Sequence, residues 1–471
     1  MSKEGYDMTG IPFLIVFVLA IIVMIVMISK YKIHPFLSIM LVSLILGLIG
    51  GIPLVNGTDA DGNTIKGIAT IIGDGFSGTF TSIGIVIIFG AMIGTFLEAT
   101  GAALKLADIV VNLVGPKHPE LAIELMGWVV SIPVFCDSGF VVLNPIRKAL
   151  VKKTGASSVA MTVCLSAGLY ASHVFIPPTP GPIAAANTLG VGDNLLMVMG
   201  FGVLVSIPAL AGAYFYAKYI GKKVKANDEI TSSEETVKTY EELVASYGKL
   251  PSGFMSLAPI IVPIILMAMS NVASILGWSG AAKTIFTFLG TPIIALAVGV
   301  IFGIILLVQS KMTDKLYELT NETLKTVGPI LFVTAAGGVL GKVISSTSLV
   351  SFITENAGAF QTIGIFFPFL LAAILKSAQG SSTVAITTTA GIMAPLMGAL
   401  GMGSPAMGAL CVMAIGAGAM TVSHANDSYF WVVTNFGEMT PDQGYKTQTA
   451  ATLVEGICSI IFIFIISLFV H

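Results

Sequence analysis

Ten runs of apolar residues constrain this chain more than any other feature, because each is long enough to cross a hydrocarbon core of ~30 Å at 1.5 Å per helical residue. They cover residues 11–29, 35–55, 79–98, 157–188, 195–217, 254–276, 284–308, 327–345, 405–436 and 450–470. Only 10% of the residues are charged and 55% are hydrophobic, whereas a soluble domain carries about 25% charged residues. The sequence therefore reads as an all-α polytopic membrane protein, with the lipid bilayer as its surroundings. The first run is too long, and lacks the small-residue cleavage site, to be a secretory signal, so it is read as the first transmembrane helix. A formal net charge of −2 gives no basic excess that would point to nucleic acid. Cys136, Cys164, Cys411 and Cys458 stand in apolar segments without CxxC spacing, which argues against disulfides and a zinc site. No metal or cofactor is expected.

Two further apolar stretches, 121–149 and 360–396, are interrupted by polar, glycine and proline residues. Non-helical backbone at membrane depth is tolerated only where protein or a wet cavity covers it, so both read as re-entrant hairpins. Loop charges orient the rest. Lys30 and Lys32, the cluster Arg147, Lys148, Lys152 and Lys153, the cluster Lys218, Lys222, Lys223 and Lys225, and the cluster Lys311, Lys315 and Lys325 mark cytoplasmic loops by the positive-inside rule. The loop from Asn56 to Asp74 then falls outside, as do both termini. The 437–447 loop, with Glu438, Asp442 and Lys446, casts almost no vote.

The chain also repeats itself. An offset of 244 positions brings Gly84 onto Gly328, Gly94 onto Gly338 and Asp137-Ser138-Gly139 onto Ser381-Ser382-Thr383, and an offset of 251 brings Ser172-His173 onto Ser423-His424. A first repeat is expected over 1–220 (hairpin 121–149, broken helix 157–188) and a second over 252–471 (hairpin 360–396, broken helix 405–436), joined by a polar cytoplasmic linker at 221–251. Five spanning helices and one hairpin per half make the second half begin on the opposite side of the membrane. Such an inverted repeat is the organisation of secondary transporters, whose sites lie near the midplane at broken helices. The breaks are expected at Phe175-Ile176-Pro177-Pro178-Thr179-Pro180-Gly181-Pro182 and at Ala425-Asn426-Asp427-Ser428.

Asp137 is the side chain that most needs explaining, since an acid at membrane depth costs several kcal/mol unless it is paired or faces water. The hairpin tips, Asp137, Ser138 and Gly139 on one side and Gly380, Ser381, Ser382 and Thr383 on the other, offer what a carboxylate ligand needs: free backbone N–H groups, the positive end of a helix dipole, hydroxyls and glycine for close approach. Asn144, Ser172, His173, Thr179, Ser423, His424 and Asn426 suit the hydroxyls of a small hydroxy acid, being groups that give or take hydrogen bonds. For proton coupling the candidates are Asp137, His173, His424 and Asp427. Asp137 leads because its counterpart in the repeat is a serine, and it is expected to be protonated when loaded and to release its proton facing the cytoplasm. Structural alternatives exist for each: a helix cap at Asp137-Ser138, core histidines bonded to carbonyls, and small-residue helix packing at 381–383. An intramembrane enzyme using Asp137 and His173 is disfavoured, because no Ser-His-Asp order and no HExxH occurs. Sodium coupling stays open.

Gly139-Phe140-Val141 followed by Pro145, and Ser172-His173-Val174-Phe175 leading into Pro177-Pro178-Thr179-Pro180-Gly181-Pro182, resemble the signatures of the gluconate permease family of proton symporters. The resemblance covers nearly the whole chain. It implies a scaffold region, a mobile transport region with two hairpins and two broken helices, elevator-type motion, a homodimer, and proton-coupled uptake of gluconate or a related small hydroxy monocarboxylate. The chain departs from the family's pattern at Asp137-Ser138, where a Glu-Val is usual, and at Thr179, where a histidine is usual, so D-serine or another small organic acid is an alternative substrate. Arg147 reads as an orienting loop charge, Glu98 and Lys342 as a pair equivalent in the repeats, 100–114 and 345–358 as interfacial arms, and Glu455 has no partner visible in the sequence.

Overall fold

The structure, a computed structural model, describes residues 10–58, 62–115, 118–227, 250–275, 278–356, 363–424 and 427–470. Most of the linker, Asp59, Asp61, Ala425 and Asn426 lie outside the described residues. The first half runs α1 (Gly10–Ser29), α2 (Pro35–Ile49), a two-stranded antiparallel hairpin β1 (Gly57–Thr58) and β2 (Thr64–Ile65), α3 (Ile68–Thr79), α4 (Ile85–Ala99), α5 (Ala102–Val114), α6 (Pro119–Val130), α7 (Cys136–Thr154), α8 (Ser158–Phe175), α9 (Pro180–Thr188) and α10 (Leu195–Ile220). The second runs α11 (Gly253–Ile275), α12 (Gly280–Gly290), α13 (Pro292–Gln309), α14 (Leu316–Ser345), α15 (Leu349–Glu355), α16 (Phe366–Gln379), α17 (Ser382–Met393), α18 (Pro405–Met420), α19 (Ser428–Phe436) and α20 (Ala450–Ser467).

Among the described residues, seven helical stretches are long and apolar enough to cross a membrane: Gly10–Ile28, Ser158–Thr188, Gly192–Ile220, Gly253–Ser270, Pro292–Gln309, Thr313–Ser345 and Pro441–Ser467. Pro35–Ile49, Ile85–Ala99, Phe366–Ala378, Ser382–Leu396 and Pro405–Met420 are apolar but shorter. Several of the ten apolar runs are therefore short helices end to end, among them the two expected to be broken, 157–188 and 405–436. The breaks have local causes. Gly380 closes α16 at φ 89°, which favours glycine, and Ser381 then caps α17 by accepting a hydrogen bond from the Val384 N–H at 3.3 Å. Pro177, Pro178 and Pro180 separate α8 from α9, since proline cannot continue the hydrogen-bond ladder.

Two helices form the centre. All of α8 is buried, and α18 is buried from Gly408 onward. With no hydrophobic drive between helices in lipid, such contacts rest on close van der Waals approach at small residues. At Gly168 of α8, an added Cβ would stand 1.9 Å from the Glu124 carbonyl oxygen of α6. At Gly341 of α14 it would stand 2.6 Å from the Gly391 carbonyl oxygen of α17.

Arg147 corrects the sequence reading. It is not a loop charge but sits inside α7 with 0% exposure, its Nε donating to Asn144 Oδ1 at 2.7 Å and its Nη1 to Ser158 Oγ at 2.6 Å. The 437–447 loop, which carried no orienting charge of use, ion-pairs Glu438 to Lys148 and hydrogen-bonds Gln443 Nε2 to the Lys225 carbonyl at 2.8 Å. It therefore lies on the side of the lysine clusters. Glu98 and Lys342 do not meet: they line different cavities.

Candidate functional site

Three helix starts meet at one cavity of about 430 Å³. Phe135, Cys136 and Asp137 bring the start of α7, Gly380, Ser381, Ser382 and Thr383 the start of α17, and Asp427, Ser428 and Tyr429 the start of α19; His173 closes it from the end of α8, and Thr326 and Ile330 from α14. Each helix start carries unpaired N–H groups and about half a positive charge. Converging on one space, they make it favourable to negative charge.

The order of the cavities follows from α14. Its residues 319–326 line a second cavity of about 310 Å³, residues 326 and 330 the central one, and residues 338–345 a third of about 750 Å³. Thr326 and Ile330 stand roughly 15–21 Å along the helix from Leu316 at 1.5 Å per residue, near the middle of α14. The central and second cavities share Phe135 and Thr326, so they adjoin, the second lying toward the end of α14 that follows Lys311 and Lys315. The third cavity shares no residue with it.

The cavity holds two acids in different surroundings. Asp427 is tied down: Lys376 of α16 pairs with its Oδ2 at 2.6 Å, Ser423 Oγ donates to the same oxygen at 2.5 Å, and the Tyr429 N–H donates to Oδ1 at 3.0 Å. Both side chains are buried, at 1% exposure for Lys376 and 5% for Asp427. Lys376 also donates to the Gly380 carbonyl at 2.5 Å. One ammonium thus fixes the α16–α17 break to the start of α19. Asp137 receives only the Ser428 hydroxyl at 3.3 Å and the Cys136 thiol at 3.7 Å, and no described cation pairs with it. His173 is buried and its Nδ1 has no hydrogen-bond partner.

The remaining sequence candidates divide. Ser138 and Gly139 belong to the first turn of α7, where Gly139 packs on Leu169 of α8. Asn144 is engaged by Arg147, Ser172 donates to the Gly168 carbonyl of its own helix at 3.3 Å, and Thr179 donates to the Ile176 carbonyl at 2.7 Å. None of these three lines the cavity. Ser423 acts through Asp427, and His424 gives its carbonyl to the Asp427 N–H at 2.8 Å without lining the cavity. Asn426 lies outside the described residues. Lys376 was missed, although a lysine inside an apolar run is the same signal that singled out Asp137.

The model of the GntP family permeases matches residues 12–469. An uncharacterized permease of Haemophilus influenzae is 34% identical over 90% of this chain and 86% of its own length. The gluconate permease of Pseudomonas aeruginosa is 28% identical over 95% of this chain and 96% of its own. Among solved structures, MtrF of Neisseria gonorrhoeae, from a class of antimetabolite efflux pumps, superposes with a TM-score of 0.64 at 15% identity, covering 94% of this chain and 96% of that one; this likeness concerns the fold. With the family matched from the first helix to the last, the chain belongs to the GntP permease family and is a multi-pass cell-membrane transporter.

Proposed function

We propose that this chain carries gluconate or a related small hydroxy monocarboxylate into the cell together with a proton. The observation that carries the reading is the convergence of three helix N-termini on one cavity whose one acid without a cation is Asp137. The carboxylate of the substrate would lie among the N–H groups of α17 and α19 and the hydroxyls of Ser381, Ser382 and Thr383. Its hydroxyl groups would meet His173 and Ser428. Two like charges in one desolvated site oppose each other, so substrate entry favours a protonated Asp137. The proton then travels with the anion, and its release follows on the cytoplasmic side, toward which the second cavity leads. Because Asp427 is already held by Lys376, its role in this reading is structural.

The same reading takes 1–220 and 252–471 as inverted repeats that move as an elevator. The recurring order of a hairpin (α6–α7, α16–α17) followed by a broken helix (α8–α9, α18–α19) supports it.

Two measurements test the proposal. A ligand that binds only the folded state stabilises it by RT ln(1 + [L]/Kd), about 2.7 kcal/mol at a hundredfold excess over Kd, so gluconate should stand out in a thermal-shift series that includes glycerate, lactate and D-serine. In proteoliposomes Asp137→Asn should keep gluconate counterflow and lose uphill uptake driven by a pH gradient. Uphill uptake by that variant at the wild-type level removes Asp137 as the carrier.

A further inference from the structure

The last helix carries a polar stripe that the cavity does not use. Thr452, Glu455 and Ser459 recur at the three- and four-residue spacing that places side chains on one helical face, Gln448 precedes them in the π-helical turn Tyr445–Thr449, and all four are buried. Glu455 has 0% exposure, and neither carboxyl oxygen has a hydrogen-bond partner. On α6, Glu124 is 1% exposed and leaves its Oε1 without a partner. The donors Gln448 Nε2 and Ser459 Oγ on the stripe, and Trp128 Nε1 one turn along α6 from Glu124, are unpartnered too.

An ionised carboxylate with no partner at this depth costs several kcal/mol, and each unpaired buried polar group costs about 1–3 kcal/mol. Donors and acceptors left unmade on neighbouring faces are what a site looks like when its occupant or its other arrangement satisfies them. The charged and titratable groups facing it offer no relief. Its packing partners bring Cys164, Tyr170 and His173 on α8, Cys411 on α18, Tyr214, Tyr216, Lys218 and Tyr219 on α10, Lys376 on α16, and Tyr445 and Lys446 on the turn before α20. Lys218 is exposed, and Lys376 is committed to Asp427.

The stripe is joined to the cavity twice. Ser166 Oγ donates to Gln448 Oε1 at 2.7 Å, and the hydroxyl of the cavity residue Tyr429 donates to the Ser166 carbonyl at 3.0 Å. The Ser423 N–H donates to Thr452 Oγ1 at 3.0 Å, while its hydroxyl holds Asp427.

We propose that Glu455 forms a second proton-holding site, separate from the substrate cavity and joined to it through Gln448–Ser166–Tyr429 and Thr452–Ser423–Asp427. One proton, taken from water, is held by the Glu455 carboxyl and later returned to water; no other bond changes. The inference rests on the reading of the cavity as a proton-coupled anion site.

The test uses the full chain reconstituted in liposomes with gluconate as probe. Glu455→Gln mimics the protonated acid, so counterflow at equal pH should persist while accumulation driven by a pH gradient is lost; Glu455→Asp should restore part of it. Wild-type accumulation by Glu455→Gln overturns the proposal, and so does accumulation driven by a sodium gradient alone that this variant abolishes, since that makes the site a metal-cation site. Should Glu455→Gln fail to fold, pH-difference infrared spectroscopy of Asp137→Asn, in which the cavity acid no longer titrates, decides. A buried carboxyl C=O band that still titrates supports the site, and its absence refutes it. If the wild type moves no gluconate at all, the transport reading falls, while the infrared titration still judges the proton site.

Discussion

Replacing Lys376 by methionine removes the cation that holds Asp427 and leaves the carboxylate in a site where it is 5% exposed. Breaking a buried ion pair by deleting one partner costs about 3–5 kcal/mol, because the other charge keeps its desolvation penalty and loses its compensation. Asp427 would retain the Ser423 hydroxyl at 2.5 Å and the Tyr429 N–H at 3.0 Å, and hydrogen bonds to charged groups are worth about 1.5–3 kcal/mol each. The expected loss for Lys376→Met is therefore near the lower end, about 3 kcal/mol. Adding Asp427→Asn removes the stranded charge, keeps a side-chain acceptor for the same donors, and should bring the double variant back to within about 1 kcal/mol of the wild type, as neutral replacements of buried pairs do. Equilibrium unfolding of the four proteins in mixed micelles measures the cycle. Equal instability of Lys376→Met and the double variant, or a single-variant loss below about 1 kcal/mol, would refute the argument that this pair is a mutually dependent buried unit.

Other perturbations follow from the same geometry. Arg147→Lys cannot reproduce a fork that meets Asn144 Oδ1, Ser158 Oγ and the Phe436 carbonyl together, so it should lower stability by about 2 kcal/mol, since Arg and Lys are not equivalent at multidentate sites; unfolding in micelles reads it, and an unchanged midpoint contradicts it. Gly168→Ala would set a Cβ 1.9 Å from the Glu124 carbonyl oxygen and should cost at least the roughly 1–3 kcal/mol of overpacking, visible as a lowered melting temperature and loss of monodisperse protein after extraction.

The architecture was legible where a local rule sufficed. Runs of apolar residues announce spans, and glycine, serine and proline announce breaks, because a backbone that leaves the helix at membrane depth needs residues that tolerate it. For that reason Gly380 and Ser381 could be singled out, and they do end one helix and cap the next. Partnership was not legible. Asn144 offers the same amide whether it faces a ligand or a guanidinium, and only the fold brings Arg147 Nε to 2.7 Å. Nothing in the sequence around Lys376 points to Asp427, on a helix that is formed far along the chain.

One rule applied evenly would have reached further. The cost of an ionisable group in lipid singled out Asp137, yet it applies with equal force to Lys376, Glu124 and Glu455, and these three turn out to be at most 1% exposed. Their fates show why the rule marks a site without naming its role. Lys376 has an acid at 2.6 Å and becomes a structural clamp, whereas Glu455 has no partner and needs a proton to be tolerable at all. Asp137, half-buried and facing the cavity with only weak donors, stands between these cases. An acid can be unloaded in each cycle only if it is neither clamped by a cation nor sealed from water. By that criterion Asp137 is suited to exchange its proton with the substrate's passage, while Glu455 can exchange only when the packing of α20 on α8 and α10 changes, which ties any proton it carries to the conformational step.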